Sequence, residues 1–396
     1  MKKFYILIVF LVLISTSGKA QNKLSVNGYV KYMEMVNFQE IDSMWITNSL
    51  IHNRFDIGYF PTNYLNAHLS VRNRFYFGEM VTFSQPPFNA LFGTIGVYNF
   101  IEETEYDAGF CNLSHNFFKG DSYFFNTSID RAFVKFQKGN WEISGGRQRI
   151  NWGQSFVWNP NDIFNAYSYF DFDYEEKPGS DAFRAQYYLD FASRIEVAAA
   201  VNRDTNITAA AYYQFNKWQY DVQMLAGVFN SKDYVAGIGW SGNLWNAAFR
   251  GEMSYFHPLE NPIDSSGTFI ASIGADYSFK NGGMVQAEIM FNSSIDKDRA
   301  FNLSDFYTQR ISAKNLSYNR WTFFSSFTYP VTPLINLSFS AMYSPQNNFA
   351  YMGPACSFSV SENFMFDITA QSFFSDIPTN EGGGGTYAFI RGKWSF

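Results

Sequence analysis

The sequence predicts an all-β chain: a transmembrane antiparallel up-and-down β-barrel of about eighteen strands, with sixteen as the alternative. Three observations predict it. The last eleven residues, TYAFIRGKWSF, alternate. Ala388, Ile390, Gly392, Trp394 and Phe396 share one face of an extended strand; Tyr387, Arg391, Lys393 and Ser395 share the other, with Phe389 the apolar exception. Aromatic residues make up 20% of the 396 residues (45 Phe, 26 Tyr, 9 Trp), a load that lipid-facing girdles use. Yet mean hydropathy is only −0.20, and past the N-terminus no apolar run approaches the ~20 residues that a membrane helix needs. Only helices and closed barrels satisfy their backbone groups in lipid, so a barrel remains.

The chain opens with Lys2 and Lys3, an apolar run from Phe4 to Ile14, and Gly18-Lys19-Ala20. This reads as a secretory signal peptide over 1–20, cut before Gln21, with the barrel over 21–396 and the cell outer membrane as destination. No cysteine follows the cut, which argues against a lipid anchor. A formal charge of −6 and the lack of a basic tract argue against nucleic acid. Cys111 and Cys356, the only cysteines, suggest neither a bridge nor a metal site, and no cofactor is implied.

Units of about ten residues alternate with period two and end in turn residues. The first three span 24–38, 48–60 and 64–78; in the third, Leu65, Ala67, Leu69 and Val71 oppose Asn66, His68, Ser70, Arg72 and Arg74. Then come 128–137, 141–152, 181–190 and 194–203, the last setting Ile195, Val197, Ala199 and Val201 against Arg194, Glu196 and Asn202. Next are 205–215, 218–229, 233–242 and 245–256, where Ala247, Phe249 and Met253 oppose Asn246, Arg250 and Glu252. The remainder are 268–279, 283–293, 319–329, 334–344, 347–360, 362–374 and 385–396, with Pro354 awkward inside a paired strand unless it sits at a bulge. Every long gap (79–127, 153–180, 257–267, 294–318, 375–384) is odd-numbered, and the even gaps are tight turns. Both termini therefore belong in the periplasm, with long loops outside.

So wide a cylinder holds water or a plug. Loops 79–127 and 153–180 are too aromatic for free exposure, so parts of them are expected in the lumen or packed together. Inward parity gathers basic residues, among them Arg72, Arg74, Arg184 and Arg391, on the first seven strands and the last. A basic wall facing a more acidic one would draw anions. The histidines give no catalytic arrangement, so no enzyme is expected. The acidic runs 102–105 and 171–176 read as solvated loop charge rather than Ca²⁺ ligands.

The sharpest motif is GGRQRINWGQSFVWNPNDIFN at 145–165. A glycine bulge at Gly145-Gly146 is expected to flip the parity, turning Gln148, Ile150 and Trp152 outward and Arg147, Arg149 and Asn151 into the lumen. Asn159-Pro160-Asn161-Asp162 reads as a tight turn, so Asn159 and Asp162 join the constriction, with 154–176 entering the lumen to face Arg147 and Arg149.

GRQ, WG, NPxD and Pro178-Gly179 together resemble a proteobacterial family of outer-membrane proteins of unknown function. GRQ on a barrel strand is also similar to the alginate-export porins. The likeness covers 145–179; an acidic residue expected after WG is Gln154 here. The alternating end with a terminal Phe resembles bacterial outer-membrane barrels generally, which implies Trp394 and Phe396 as an assembly signal read by the barrel-assembly machinery. The expected function is a porin-like channel for small polar or anionic solutes, saccharides among them, in contact with outer-membrane lipid. The alternatives are a transporter of hydrophobic compounds, or a non-transport surface protein, an adhesin or the barrel partner of a surface machine.

Overall fold

The computed structural model describes residues 23–42, 44–85, 100–171, 173, 175–295, 311–374 and 384–396. The expected signal peptide over 1–20 and parts of four long loops lie outside these residues. The described strands in chain order are β1 (Leu24–Phe38), β2 (Ile46–Tyr59), β3 (Leu65–Phe77), β4 (Ser114–Phe117), β5 (Tyr123–Lys138), β6 (Trp141–Gln148), β7 (Ser180–Tyr188), β8 (Arg194–Val201), β9 (Ile207–Lys217) and β10 (Tyr220–Phe229). They continue as β11 (Asp233–Leu244), β12 (Ala247–Pro258), β13 (Thr268–Ser278), β14 (Met284–Asn292), β15 (Trp321–Thr332), β16 (Ile335–Ser344), β17 (Phe349–Ser361), β18 (Phe364–Phe374) and β19 (Gly385–Ser395).

All but β4 are staves. Each pairs antiparallel with its neighbours, and β1 pairs with β19 from Tyr29↔Ser395 to Phe38↔Thr386, so the barrel closes with eighteen staves. Closure pairs the first stave with the last, so neither is left as a free edge to lipid. Outward positions are apolar and exposed, as with Ile195, Val197, Phe183, Ile238, Ile273, Phe323, Leu337 and Ile390. That belt is what an outer-membrane barrel presents to lipid. Short turns join the staves at one rim; Trp218 and Gln219 both adopt positive φ (57° and 65°), the pairing that two-residue hairpin turns need. Among the described residues no helix is long and apolar enough to cross a membrane.

Three details differ from the sequence expectation. The bulge lies in β5, not at Gly145-Gly146: the register to β3 shifts between Ser70↔Arg131 and Val71↔Ile129, leaving Asp130 as the extra residue. Gly146 does have φ +117°, but parity runs through it unchanged. Stave β6 stops at Gln148 rather than 152, and β4 takes the vacated edge of β5, pairing Ser114↔Ser128 to Phe117↔Phe125. Pro354 sits where the β17–β18 ladder omits two pairs at unchanged register (Met352↔Ser372, then Ala355↔Thr369), the gap that a residue without an N–H leaves.

The C-terminal Phe396 closes the seam with β1. Its N–H donates to Gly28 O at 2.9 Å, and Gly28 N–H donates to Phe396 O at 3.0 Å. A Cβ on Gly28 would stand 2.9 Å from the Phe396 ring, so glycine leaves the bed on which that ring lies.

Candidate functional site: a pinned segment across the lumen

After β6 the chain turns inward, and residues 149–179 cross the lumen. Ile150, Trp152, Val157, Trp158 and Ile163 are buried against inward wall residues Tyr212, Leu225, Val235, Phe256, Ile270, Met290 and Phe324. Trp152 stacks on Tyr212 (centroids 5.0 Å). Full burial of such a side chain contributes about 1.5–3 kcal/mol. The outward orientation expected for Gln148, Ile150 and Trp152 is therefore wrong. Gln148 bonds Ser144 (2.5 Å) on the inward face of β6, and the other two lie in the lumen core.

Wall carboxylates hold this first half. Glu288 on β14 accepts N–H bonds from Phe156 (3.0 Å), Val157 (2.9 Å) and Trp158 (2.8 Å), and one from Ser272 Oγ (2.6 Å). Glu252 on β12 accepts from the N–H groups of Gln154, Ser155 (2.7 Å) and Asn161 (3.0 Å). Glu196 on β8 accepts from Trp152 Nε1 (2.7 Å), Arg184 Nε (2.6 Å) and Gln186 (2.7 Å). Six backbone donors that no ladder pairs thus end on two buried carboxylates, which satisfies both partners. Gly237 and Gly239 on β11 leave room for Asn161: a Cβ there would meet its side chain at 2.5 and 3.0 Å.

The second half crosses to the opposite wall. Lys31 Nζ donates to Asp173 O (2.8 Å) and Oδ1 (2.7 Å). Arg391 pairs with Asp367 (2.9 Å), Asp173 (3.4 Å) and Glu175 (3.3 Å), and Lys393 with Glu175 (2.6 Å). Tyr29 Oη donates to Glu176 (2.9 Å), and Arg131 holds the carbonyls of Glu176 (2.7 Å) and Lys177 (2.9 Å). The 171–176 run is therefore not solvated loop charge; Asp173, Glu175 and Glu176 latch the segment to β1, β5 and β19. Burial alone would raise the Asp173 carboxyl, but its bonds to His52 and Lys31 outweigh this and lower it; at Glu175 Lys393 does the same.

The predicted site residues separate. Arg72 bonds Asp130 (2.9 Å), which also binds Arg54. Arg74 bonds Asn126 (2.8 Å), and both arginines line a cavity of about 390 Å³ with His52, Phe170, Asp171 and Asp173. Arg149 lies over Tyr167 (5.5 Å) inside the segment. Asn159 O accepts the Asp162 N–H (3.0 Å), closing the expected turn. Asp162 is fully buried, and that burial pushes its carboxyl up to about 7 against the pull of Arg149.

Arg147 is the clear correction. It pairs in register with Ala132 and Asp181, on the face that also carries exposed Val134 and Phe183, so it points outward. There it is covered by residues 107–111, bonding Asp181 (2.7 Å), Asp107 (2.5 Å) and Cys111 O (2.7 Å). The bulge that would have turned it inward is at Asp130 instead. Sequence reading also missed the role of Glu252 and Glu288. A signal was present: their cross-strand partners are Gly239, Ser272, Gly274 and Phe324, with no base to neutralise them.

A second cavity, about 520 Å³, lies toward the long-loop rim between Tyr106, Ala108, Gly109, Phe164, Tyr167, Asn202 and Phe229. It shares Glu103, Tyr106 and Asp171 with the cavity at Arg72 and Arg74.

The sequence matches no family model and no curated protein, so the likeness of 145–179 to the two families named above reduces to a barrel marker. Solved structures do match. Acinetobacter baumannii OccAB2 has a TM-score of 0.56 at 10% identity, over 96% of this chain and 100% of that one. Pseudomonas aeruginosa OccK11 (OpdR) gives 0.54 at 7%, over 94% and 96%, and P. aeruginosa OpdK, solved with vanillate, 0.54 at 7%, over 94% and 98%. At such identities the likeness is one of architecture: this chain has the fold of the Occ/OprD outer-membrane channels.

Proposed function

We propose that the chain is an outer-membrane channel for small polar solutes, anions favoured, with the 149–179 segment as its constriction. The observation that carries this reading is the pair of cavities sharing Glu103, Tyr106 and Asp171. They run from the long-loop rim to Arg72 and Arg74, which line the lower cavity. A narrow passage along such a wall concentrates anions. The fold shared with OpdK is compatible with a carboxylate such as vanillate, and saccharides with acidic groups suit the same wall. Lipid around the belt and the barrel-assembly machinery at Trp394 and Phe396 are the partners this reading requires. The test is reversal potential across planar bilayers under a KCl gradient. Anion preference that Arg72→Ala with Arg74→Ala reduces supports the reading; cation preference, or no conductance, overturns it.

The apolar lumen core favours a second reading, transport of hydrophobic compounds, because a purely aqueous pore has no need of one.

A further inference from the structure

Staves β6 and β7 are short. Above them, toward the long-loop rim, the wall between β5 and β8 is closed by residues 107–117 of the first long loop. This strap is unevenly held. On the β5 side it has four ladder pairs and the bond from Ile129 N–H to Leu113 O (2.9 Å). On the β8 side it has one isolated bridge, Gly109↔Asn202, and one bond, Arg203 N–H to Ala108 O (3.0 Å). Neighbouring staves elsewhere share long ladders, such as the one from Tyr29↔Ser395 to Phe38↔Thr386. The strap–β8 seam is thus a weakly paired line in the wall. Arg147 on β6 ties the strap down beside this seam, bonding Asp107 and Cys111 O on the strap and Asp181 on β7, the partner of Val201 on β8.

The 520 Å³ cavity reaches this seam from inside, since Ala108, Gly109, Val201 and Asn202 all line it. Its walls are of two kinds: Ile163, Phe164 and Phe229 are apolar, while Asn165, Thr208 and Asn230 offer amides and a hydroxyl. Asn165, Thr208 and Asn230 carry no charge, so this end of the cavity suits a neutral head. Outside the strap, Phe110, Phe117 and Phe118 are exposed, and Phe75, Phe77 and Tyr123 cluster beside them. That is the aromatic composition of a membrane interface.

We propose that the strap–β8 seam is a side gate through which a single-chain amphiphile with a neutral, hydrogen-bonding head passes between the outer leaflet and this cavity. The apolar chain would lie along Ile163, Phe164 and Phe229, and the head on Asn165, Thr208 and Asn230. The strap stays hinged on β5 through β4, and breaking the Arg147–Asp107 pair removes a tie to β6, so that its β8 edge depends more on the Gly109–Asn202 bridge and the Arg203–Ala108 bond. This route shares the upper cavity with the polar passage but does not depend on it.

The full-length protein in lipid nanodiscs tests this, with a diazirine-tailed lauroyl glycerol as the probe and mass spectrometry to map its photolabels. Phe110→Cys with Val201→Cys flank the Gly109–Asn202 bridge and lock the seam when oxidised, in a Cys111→Ser background. The expected result is labelling of Phe164 and Phe229 in the reduced protein, its fall to background in the oxidised one, and a rise with Asp107→Asn. Conductance in bilayers should be the same in the locked and reduced proteins, which separates this result from failure of the polar channel. Equal labelling in both redox states, labels confined to outward side chains, or no rise with Asp107→Asn overturns the gate.

Discussion

Glu288 and Trp158 meet through the backbone: the Trp158 N–H donates to Glu288 Oε1 at 2.8 Å, from the centre of the lumen to a stave far along the chain. The same carboxylate takes the N–H groups of Phe156 and Val157, so one side chain fixes a whole turn of the segment. Glu288→Gln replaces an acceptor oxygen with an NH₂ group facing those donors. Each orphaned N–H costs about 1–3 kcal/mol. The barrel should still assemble, while single-channel recordings show more open-state noise; recordings as quiet as wild type would mean the carboxylate does not hold the segment.

Arg147→Ala should leave ion selectivity unchanged, because Arg147 points outward beneath residues 107–111. Removing it strands Asp107 and Asp181, and breaking a buried pair costs about 3–5 kcal/mol. Limited proteolysis of intact cells should then cut near 107–117 faster than in wild type. A selectivity shift towards cations would instead place Arg147 on the solute path.

Acid should release the latch. The Asp173 and Glu175 carboxyls are lowered below their ordinary values of 3.8 and 4.5. Their contribution is therefore complete above those values and is lost as pH falls through the lowered ones. Conductance should be flat from neutrality to about pH 4.5 and rise only as pH falls through the lowered values. Asp173→Asn with Glu175→Gln should show the raised conductance at neutral pH, and a double variant that conducts like wild type there would count against the latch.

Deleting Phe396 should lower the outer-membrane level of the protein without changing the conductance of the molecules that do assemble. The residue closes the β19–β1 seam through two backbone bonds to Gly28 and lies on Phe55 at 5.8 Å, far from the segment in the lumen. Quantitative blots of outer-membrane fractions check this; wild-type levels would remove the assembly role.

The fold was legible because a barrel writes itself into sequence locally. Period-two alternation on Arg194–Val201 or Ala247–Pro258 reports which side faces lipid, and loop lengths report the parity of strands. The constriction was legible only as a location. Its fastening was not, because Glu252 and Glu288 bind backbone N–H groups, which every residue carries and no motif marks. The orientation of Arg147 was lost for a different reason. Parity there depends on a bulge, and Gly145-Gly146 suggested one more strongly than Asp130, though the extra residue belongs to the neighbouring strand.

The central claim is that residues 149–179, pinned between Glu252 and Glu288 on one wall and Lys31, Arg391 and Lys393 on the other, form the constriction. Single-channel conductance in planar bilayers of a variant lacking 160–172 tests it most directly. The account predicts a conductance several-fold above wild type, of the order expected when a plug is removed from so wide a barrel. A conductance equal to wild type would contradict it.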